Sequence, residues 1–201
     1  MADATRTHDV RDPAPFDRLT KVEPQAAQIF LNQPLFFPGL LQTRAYATAM
    51  ISSVVGLELD SPELHDRVDA RAQRAETLHA RLQSDAPPHI WAAIDEGVVR
   101  RVVGGAAVWQ EQLNHLVAMA KFDTVHLAII PFDHGAHPGL GGSFEVHELP
   151  NGDASVFFEG AYADELIETD QDLARRHRGK VQRMVESGVD ARELLATITA
   201  G

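Results

Sequence analysis

The sequence predicts an α+β fold, with a small mixed sheet of about four strands covered by helices drawn from both ends of the chain. Three observations carry this. Up to Pro87-Pro88 the apolar residues recur at intervals of three and four; residues 90–130 read as strand, helix, strand; and Asn151-Gly152 separates two runs suited to a hairpin.

Residues 1–18 mix small, polar and charged side chains and read as a flexible lead-in, which leaves 19–201 as one domain. Glu23-Pro24 predicts the start of a first helix, since proline fits a first turn, and that helix would bury Ala27, Phe30 and Leu31. Pro34 and Pro38 then break the chain. Thr43 caps a second helix with Tyr46, Ala49, Met50 and Val54 at helical spacing, and Gly56 stops it. Ser61-Pro62-Glu63 opens a third, whose buried stripe is Leu64, Val68, Ala72, Ala75, Leu78 and Leu82.

The period then changes. Residues 90–95 read as a short buried strand, 106–121 as a helix burying Trp109, Leu113, Leu116, Val117 and Ala120, and 124–130 as a second strand. That spacing suggests a parallel pair joined by a right-handed crossover. A glycine-rich loop covers roughly 133–142. Residues 144–149 and 154–159 then flank the Asn151-Gly152 turn as a C-terminal hairpin. One helix follows Asp170 and carries Leu173, Val181, Met184 and Val185. Another begins at Asp190-Ala191-Arg192-Glu193, a capping box with Val189 stapled onto Leu194.

Composition narrows the functional classes. The chain has 201 residues, 44% apolar and 23% charged, enough for one domain with a real core. No cysteine is present, so disulfides and zinc-thiolate sites are excluded. The first residues lack the apolar stretch of a secretion signal, and no run is long enough to span a membrane. The expectation is a soluble cytoplasmic protein. Net charge is −11, from 18 basic and 29 acidic side chains, which argues against direct binding to a phosphate backbone.

Several residues could carry chemistry. With a two-residue turn at Asn151-Gly152, Phe144 would lie opposite Glu159 and Val146 opposite Phe157. Glu159 would then share an apolar face, where burial raises a carboxyl pKa and prepares a general acid; the alternative is a sheet-end acceptor for helix N–H groups or an arginine. Asp95 and Glu96 end a strand, where ligands bind in α/β units. They could pair with Glu159 as an acid/base couple. Alternatively Asp95 caps a short helix and Glu96 pairs with Arg100.

His134 and His137, with Asp133 and His147 nearby in sequence, raise the question of zinc. Neither is fixed on a helix face, and a loop rich in glycine is better suited to closing over a ligand, so no metal and no cofactor are expected. His177, on the apolar stripe between Leu173 and Val181, reads as structural. Arg67, Arg71, Arg74 and Arg81 lie near one flank of the third helix. They read either as solvated ion pairs or as a docking strip for an acidic ligand or partner. In Pro38-Gly39-Leu40-Leu41-Gln42-Thr43 the first residues fix a turn, and Gln42 alone offers donor and acceptor chemistry.

A fixed order of short signatures runs through the chain: Pro38-Gly39-Leu40-Leu41-Gln42-Thr43, Asp95-Glu96, Arg100-Arg101, Gly104-Gly105, Gln112-Leu113, Ile130-Pro131-Phe132, Gly135-Ala136-His137-Pro138-Gly139, and Val156-Phe157-Phe158-Glu159. The order resembles the DUF5753 domain that follows the helix-turn-helix in many actinobacterial Xre-type regulators. The resemblance covers about residues 20–199. It implies a regulator's sensor domain, here free-standing, whose relatives act beside small acidic proteins. The family's Arg-x-x-Arg-Gln appears as Arg71-Ala72-Gln73-Arg74-Ala75, Phe157 stands where tyrosine is usual, and Trp109 where a smaller aliphatic or methionine is usual. These changes would reshape any pocket they line.

Two functions from different classes follow. The first is a ligand- or partner-binding module, not itself DNA-binding, working through Gln42, Arg67, Arg71, Arg74, Trp109, His134 and the 133–142 loop. Its partner would be a small molecule or a small acidic protein, and a homodimer is compatible with it. The runner-up is a cofactor-independent acid/base enzyme of specialised metabolism (cyclase, isomerase or hydrolase) using Glu159, Asp95, Glu96 and His137.

Overall fold

The computed structural model describes residues 14–160, 163–193 and 195; the expected lead-in falls outside them as far as residue 13. Helix α1 (Ala14–Val22) runs through a 3-10 turn into strand β1 (Gln28–Gln33). This corrects the helix expected from Glu23. Pro24 does sit in a helical turn, but one of only three residues, and Ile29-Phe30-Leu31 is buried on both sides as a central strand. A short apolar run of this kind cannot be told from a helix by its period.

Helix α2 (Arg44–Ile51) starts where Thr43 Oγ1 accepts from the Tyr46 N–H at 3.2 Å. It continues as a π-helical turn, Ser52–Gly56. The wider turn rotates the helix face, so Val54, expected inside, is exposed. Helix α3 (Pro62–Leu82) is capped by Ser61, whose Oγ accepts from the Leu64 N–H. Strand β2 (His89–Asp95), helices α4 (Glu96–Arg100) and α5 (Ala106–Met119), and strand β3 (Val125–Ile130) follow.

Strands β4 (Phe144–Glu148), β5 (Ala154–Phe158) and β6 (Glu165–Ile167) come next, then helix α6 (Gln171–Ser187), capped by Asp170, and strand β7 (Val189–Asp190). Beyond β7, Asp190 Oδ1 accepts from the Arg192 N–H, one position short of the expected capping box. The Val189–Leu194 staple involves a residue outside those described.

The sheet therefore has seven strands, in the order β6-β5-β4-β1-β2-β3-β7, rather than about four. The fold is a mixed α+β arrangement. Strands β1, β2 and β3 are parallel, and β4, β6 and β7 run against their neighbours. One face carries Ile29, Leu31, Ile90, Ala92, Ile94, Leu127 and Ile129 and packs on residues of α2, α3 and α5. The other carries Phe30, Ala93, Ile130, Phe144, Val146 and Val156, and is covered by Ala174, Val181 and Met184 of α6. Helix α1 closes the β5–β6 end of the first face, with Phe16 and Leu19 against Phe157 and Leu166.

The hairpin register differs by one residue from the expectation. Leu149 N–H donates to the Asp153 carbonyl and Gly152 N–H to that of Leu149, so residues 150–152 form a three-residue loop with Gly152 at φ +91°. Phe144 pairs with Phe158 and Glu145 with Phe157. A slip of one residue exchanges faces. Glu159 thereby leaves the side of Phe144 and Val146 and joins that of Glu145 and His147.

Candidate functional site

The carboxyl ends of β1, β2, β3 and β5 point the same way, because β4 is antiparallel to both β1 and β5. Gln33, Asp95 and Glu159 thus gather at one end of the sheet, where α/β proteins bind ligands. They are divided between its two faces.

On the helix-covered face of α3 lies a buried charged cluster. Arg74 forms a fork on Glu23, with Nε to Oε1 at 3.0 Å and Nη2 to Oε2 at 2.6 Å, and Nη2 also donates to Glu145 Oε2 at 3.0 Å. All three side chains are at least 90% buried. Phe16 of α1 lies over the guanidinium, 5.4 Å from ring centre to carbon. His147 beside them is fully buried, its Nε2 3.5 Å from both Glu23 Oε2 and Glu145 Oε2.

Burial alone would raise the Glu23 pKa, but Arg74 and His147 together outweigh it and hold the carboxyl at about 2. For Glu145 burial prevails over the shared Arg74, and its pKa is raised. Burial opposes the charge on Arg74, yet the two glutamates raise its pKa further.

Toward solvent the cluster continues into Arg71 and Glu159. Arg71 Nη2 donates to Glu159 Oε1 at 3.2 Å and its Nη1 to Gln42 Oε1 at 3.1 Å. Gln33 Nε2 donates to Glu159 Oε2 at 3.0 Å, and Gln42 Nε2 to the Phe37 carbonyl at 2.7 Å. Both amides are buried, whereas the Arg71 and Glu159 side chains are 20% and 35% exposed. The turn holding Gln42 is itself fixed by Gln112, which donates to the Leu41 carbonyl and accepts from the Thr43 N–H, each at 2.7 Å.

The expected arginine strip is therefore not a surface strip. Arg67 is the solvated member, paired with Glu63; Arg71 and Arg74 turn inward, and Arg81 donates to the carbonyls of Glu23 and Ala26. A cavity of about 10 Å³ lies among Glu23, Arg74, Thr77 and Arg81, room for about one water. The outer side of α3, from Gln73 to Ser84, is an open, nearly flat surface.

On the opposite face, Asp95 Oδ1 accepts from the Gly97 N–H at 2.7 Å, capping α4, and Oδ2 lies 3.3 Å from His137 Nε2. Glu96 pairs with Arg100 and accepts from the Phe132 N–H. That backbone bond, outweighing what burial does to the charge, lowers the Glu96 pKa. The helix cap by Asp95 and the Glu96–Arg100 pair offered as the alternative are therefore what forms, and Asp95 and Glu96 are not coupled to Glu159.

The His137 ring is buried, with Nδ1 unpartnered among the described residues. Asn32 holds the surrounding loop by donating to the carbonyls of Gly139 and Gly142. His134 is exposed, its ring centre 6.0 Å from that of His137. The Trp109 indole donates to the Val99 carbonyl and packs beside the core. His177 Nδ1–H donates to the Leu173 carbonyl, and the ring meets Phe144 and Phe158 edge-on.

Sequence reasoning missed Glu23, Gln33, Glu145 and His147 as members of the site. Glu145 and His147 alternate with Phe144 and Val146, a pattern that ordinarily places the polar positions in water. Helices α1 and α3 cover that face instead. The only local signal was on α3, where Arg71 and Arg74 fall at helical spacing from Val68 and Leu78, among residues that pack inward.

The profile of the family described as Domain of unknown function (DUF5753) matches residues 16–200. The chain belongs to that family. No curated protein and no solved structure matched it. No helix among the described residues is long and apolar enough to cross a membrane.

Proposed function

We propose that this domain is a binding module that takes an acidic ligand, a small molecule or a segment of an acidic protein, at the Arg71–Glu159 end of the sheet. The observation that carries the reading is the arrangement of that pair. Two buried amides, Gln33 and Gln42, hold its members in place while their heads keep contact with solvent. An anionic group entering here can take the place of Glu159 on Arg71 Nη2, a guanidinium already held in place by Gln42, which reduces the entropy lost on binding. Leu35, just beyond Gln33 at the end of β1, is 60% exposed and offers apolar surface at this end of the sheet.

The test is a thermal-shift and calorimetric screen of carboxylate-bearing metabolites and acidic peptides against the wild type and Arg71→Met. Saturable binding to the wild type, weakened at least tenfold in Arg71→Met, is the expected result. Binding left intact by that substitution would place the site elsewhere.

His137 and Asp95 favour a second reading, acid/base catalysis. Asp95 orients the ring, as a carboxylate orients a catalytic histidine, leaving Nδ1 as the group that would exchange a proton. Glu159 has no part in that version, since its oxygens are engaged by Arg71 and Gln33. Turnover of an isomerisation or hydrolysis substrate should fall by a factor of 100 or more, on the order of a general-base contribution, in His137→Gln. Unchanged turnover removes this reading.

A further inference from the structure

The buried cluster holds more donor capacity than its own hydrogen bonds use. His147 is fully buried, and neither ring nitrogen has a hydrogen-bond partner among the described residues. Its Nε2 faces Glu23 Oε2 and Glu145 Oε2, each at 3.5 Å, too far for a good hydrogen bond. Donors bound about 2.1 Å from a common tetrahedral ion are separated by roughly 3.4 Å, close to the observed spacing.

We propose that Glu23, Glu145 and His147 form a binding site for a divalent transition-metal ion of the zinc class, with one imidazole and two carboxylates as its protein ligands. The donor atoms already lie within 4.8 Å of one another. One imidazole with two carboxylates suits zinc and its neighbours. Arg74, which donates to both glutamates, becomes the outer partner that orients the ligating carboxylates, a role such sites ordinarily fill. Three protein ligands would leave a fourth position open to water.

The charges agree. Two carboxylates, Glu23 and Glu145, share the single Arg74 guanidinium in a region largely removed from water. An unbalanced buried charge is costly, and a bound cation would offset it. This site is distinct from the proposed ligand-docking pair, and its test does not depend on that reading.

The experiment is titration of the chelator-treated full chain with Zn²⁺ alone, followed by calorimetry and thermal unfolding, with Co²⁺ as a spectroscopic substitute. Expected are one ion per chain, a rise in Tm on saturation, and a Co²⁺ absorption spectrum of a low-coordinate nitrogen–oxygen site. Both the rise and the spectrum should vanish in His147→Gln and in Glu145→Gln. Glu145→Gln keeps an acceptor for Arg74, and so retains a readout should His147→Gln fail to fold. Absence of saturable binding, or binding that survives in either folded variant, overturns the proposal. The second outcome would assign the ion to other histidines.

Discussion

Arg74→Ala should cost the domain about 3–5 kcal/mol, the range for removing one partner of a buried ion pair, and bring it close to unfolding at room temperature. Arg74 is the common partner of two carboxylates that are otherwise withdrawn from water. Its loss strands both, and also empties the space beneath Phe16. Most of the cost is charge left without a counter-charge, not lost attraction. Arg74→Met combined with Glu23→Gln and Glu145→Gln should therefore recover much of the stability, although it deletes every ion pair in the group. Urea unfolding followed by circular dichroism decides the matter. A single substitution within about 1 kcal/mol of the wild type, the size of an exposed pair, would mean that water reaches the cluster.

The same cluster shows why part of the molecule could be read from sequence and part could not. Helices α2, α3 and α6 were announced by Thr43, Ser61 and Asp170, and each of these side chains accepts from a backbone N–H in the first turn. Such caps are local chemistry. Strands β2 and β3 and helix α5 between them followed from a change of period, which is local too. The short strands β6 and β7, of three and two residues, are too brief to show a period and exist through pairing with β5 and β3.

The hairpin lay between these cases. Asn151-Gly152 located the turn correctly, but Leu149 and Asp153 close a loop of three residues, not two. That single residue decided which face Glu159 occupies, and with it the company the carboxylate keeps. Glu145 and His147 were illegible for a different reason. Alternation along β4 says only that they share a face; burial of that face depends on α1 and α3, more than 60 positions away in the chain. Asp95 and His137 do meet, but their contact crosses 42 positions and is set by the Asn32 clamp on the loop.

Glu23→Gln and Glu145→Gln should have opposite consequences for stability, although both delete one carboxylate from the same guanidinium. Metal-free conditions, with chelator present, isolate the proton chemistry. Glu23 has its pKa lowered from 4.5 to about 2, since Arg74 and His147 outweigh the effect of burial. Its contribution is complete above about pH 4.5 and is lost as the pH falls toward 2. Glu23→Gln should thus be less stable than the wild type at pH 7, by on the order of 3 kcal/mol from the size of that displacement, with the gap closing in acid. Glu145 has a raised pKa because burial dominates. Its sign is reversed: the favourable state is the protonated one below pH 4.5, and stability drains away as the pH climbs through the folded-state pKa. Glutamine cannot lose that proton, and its carbonyl still accepts from Arg74 Nη2. Glu145→Gln should therefore match the wild type in acid and equal or exceed it at pH 7. Denaturation midpoints of the three proteins between pH 3 and 8 would show the two differences moving apart. Parallel losses in both variants across that range would mean that the two glutamates hold Arg74 as equals, with burial penalising neither.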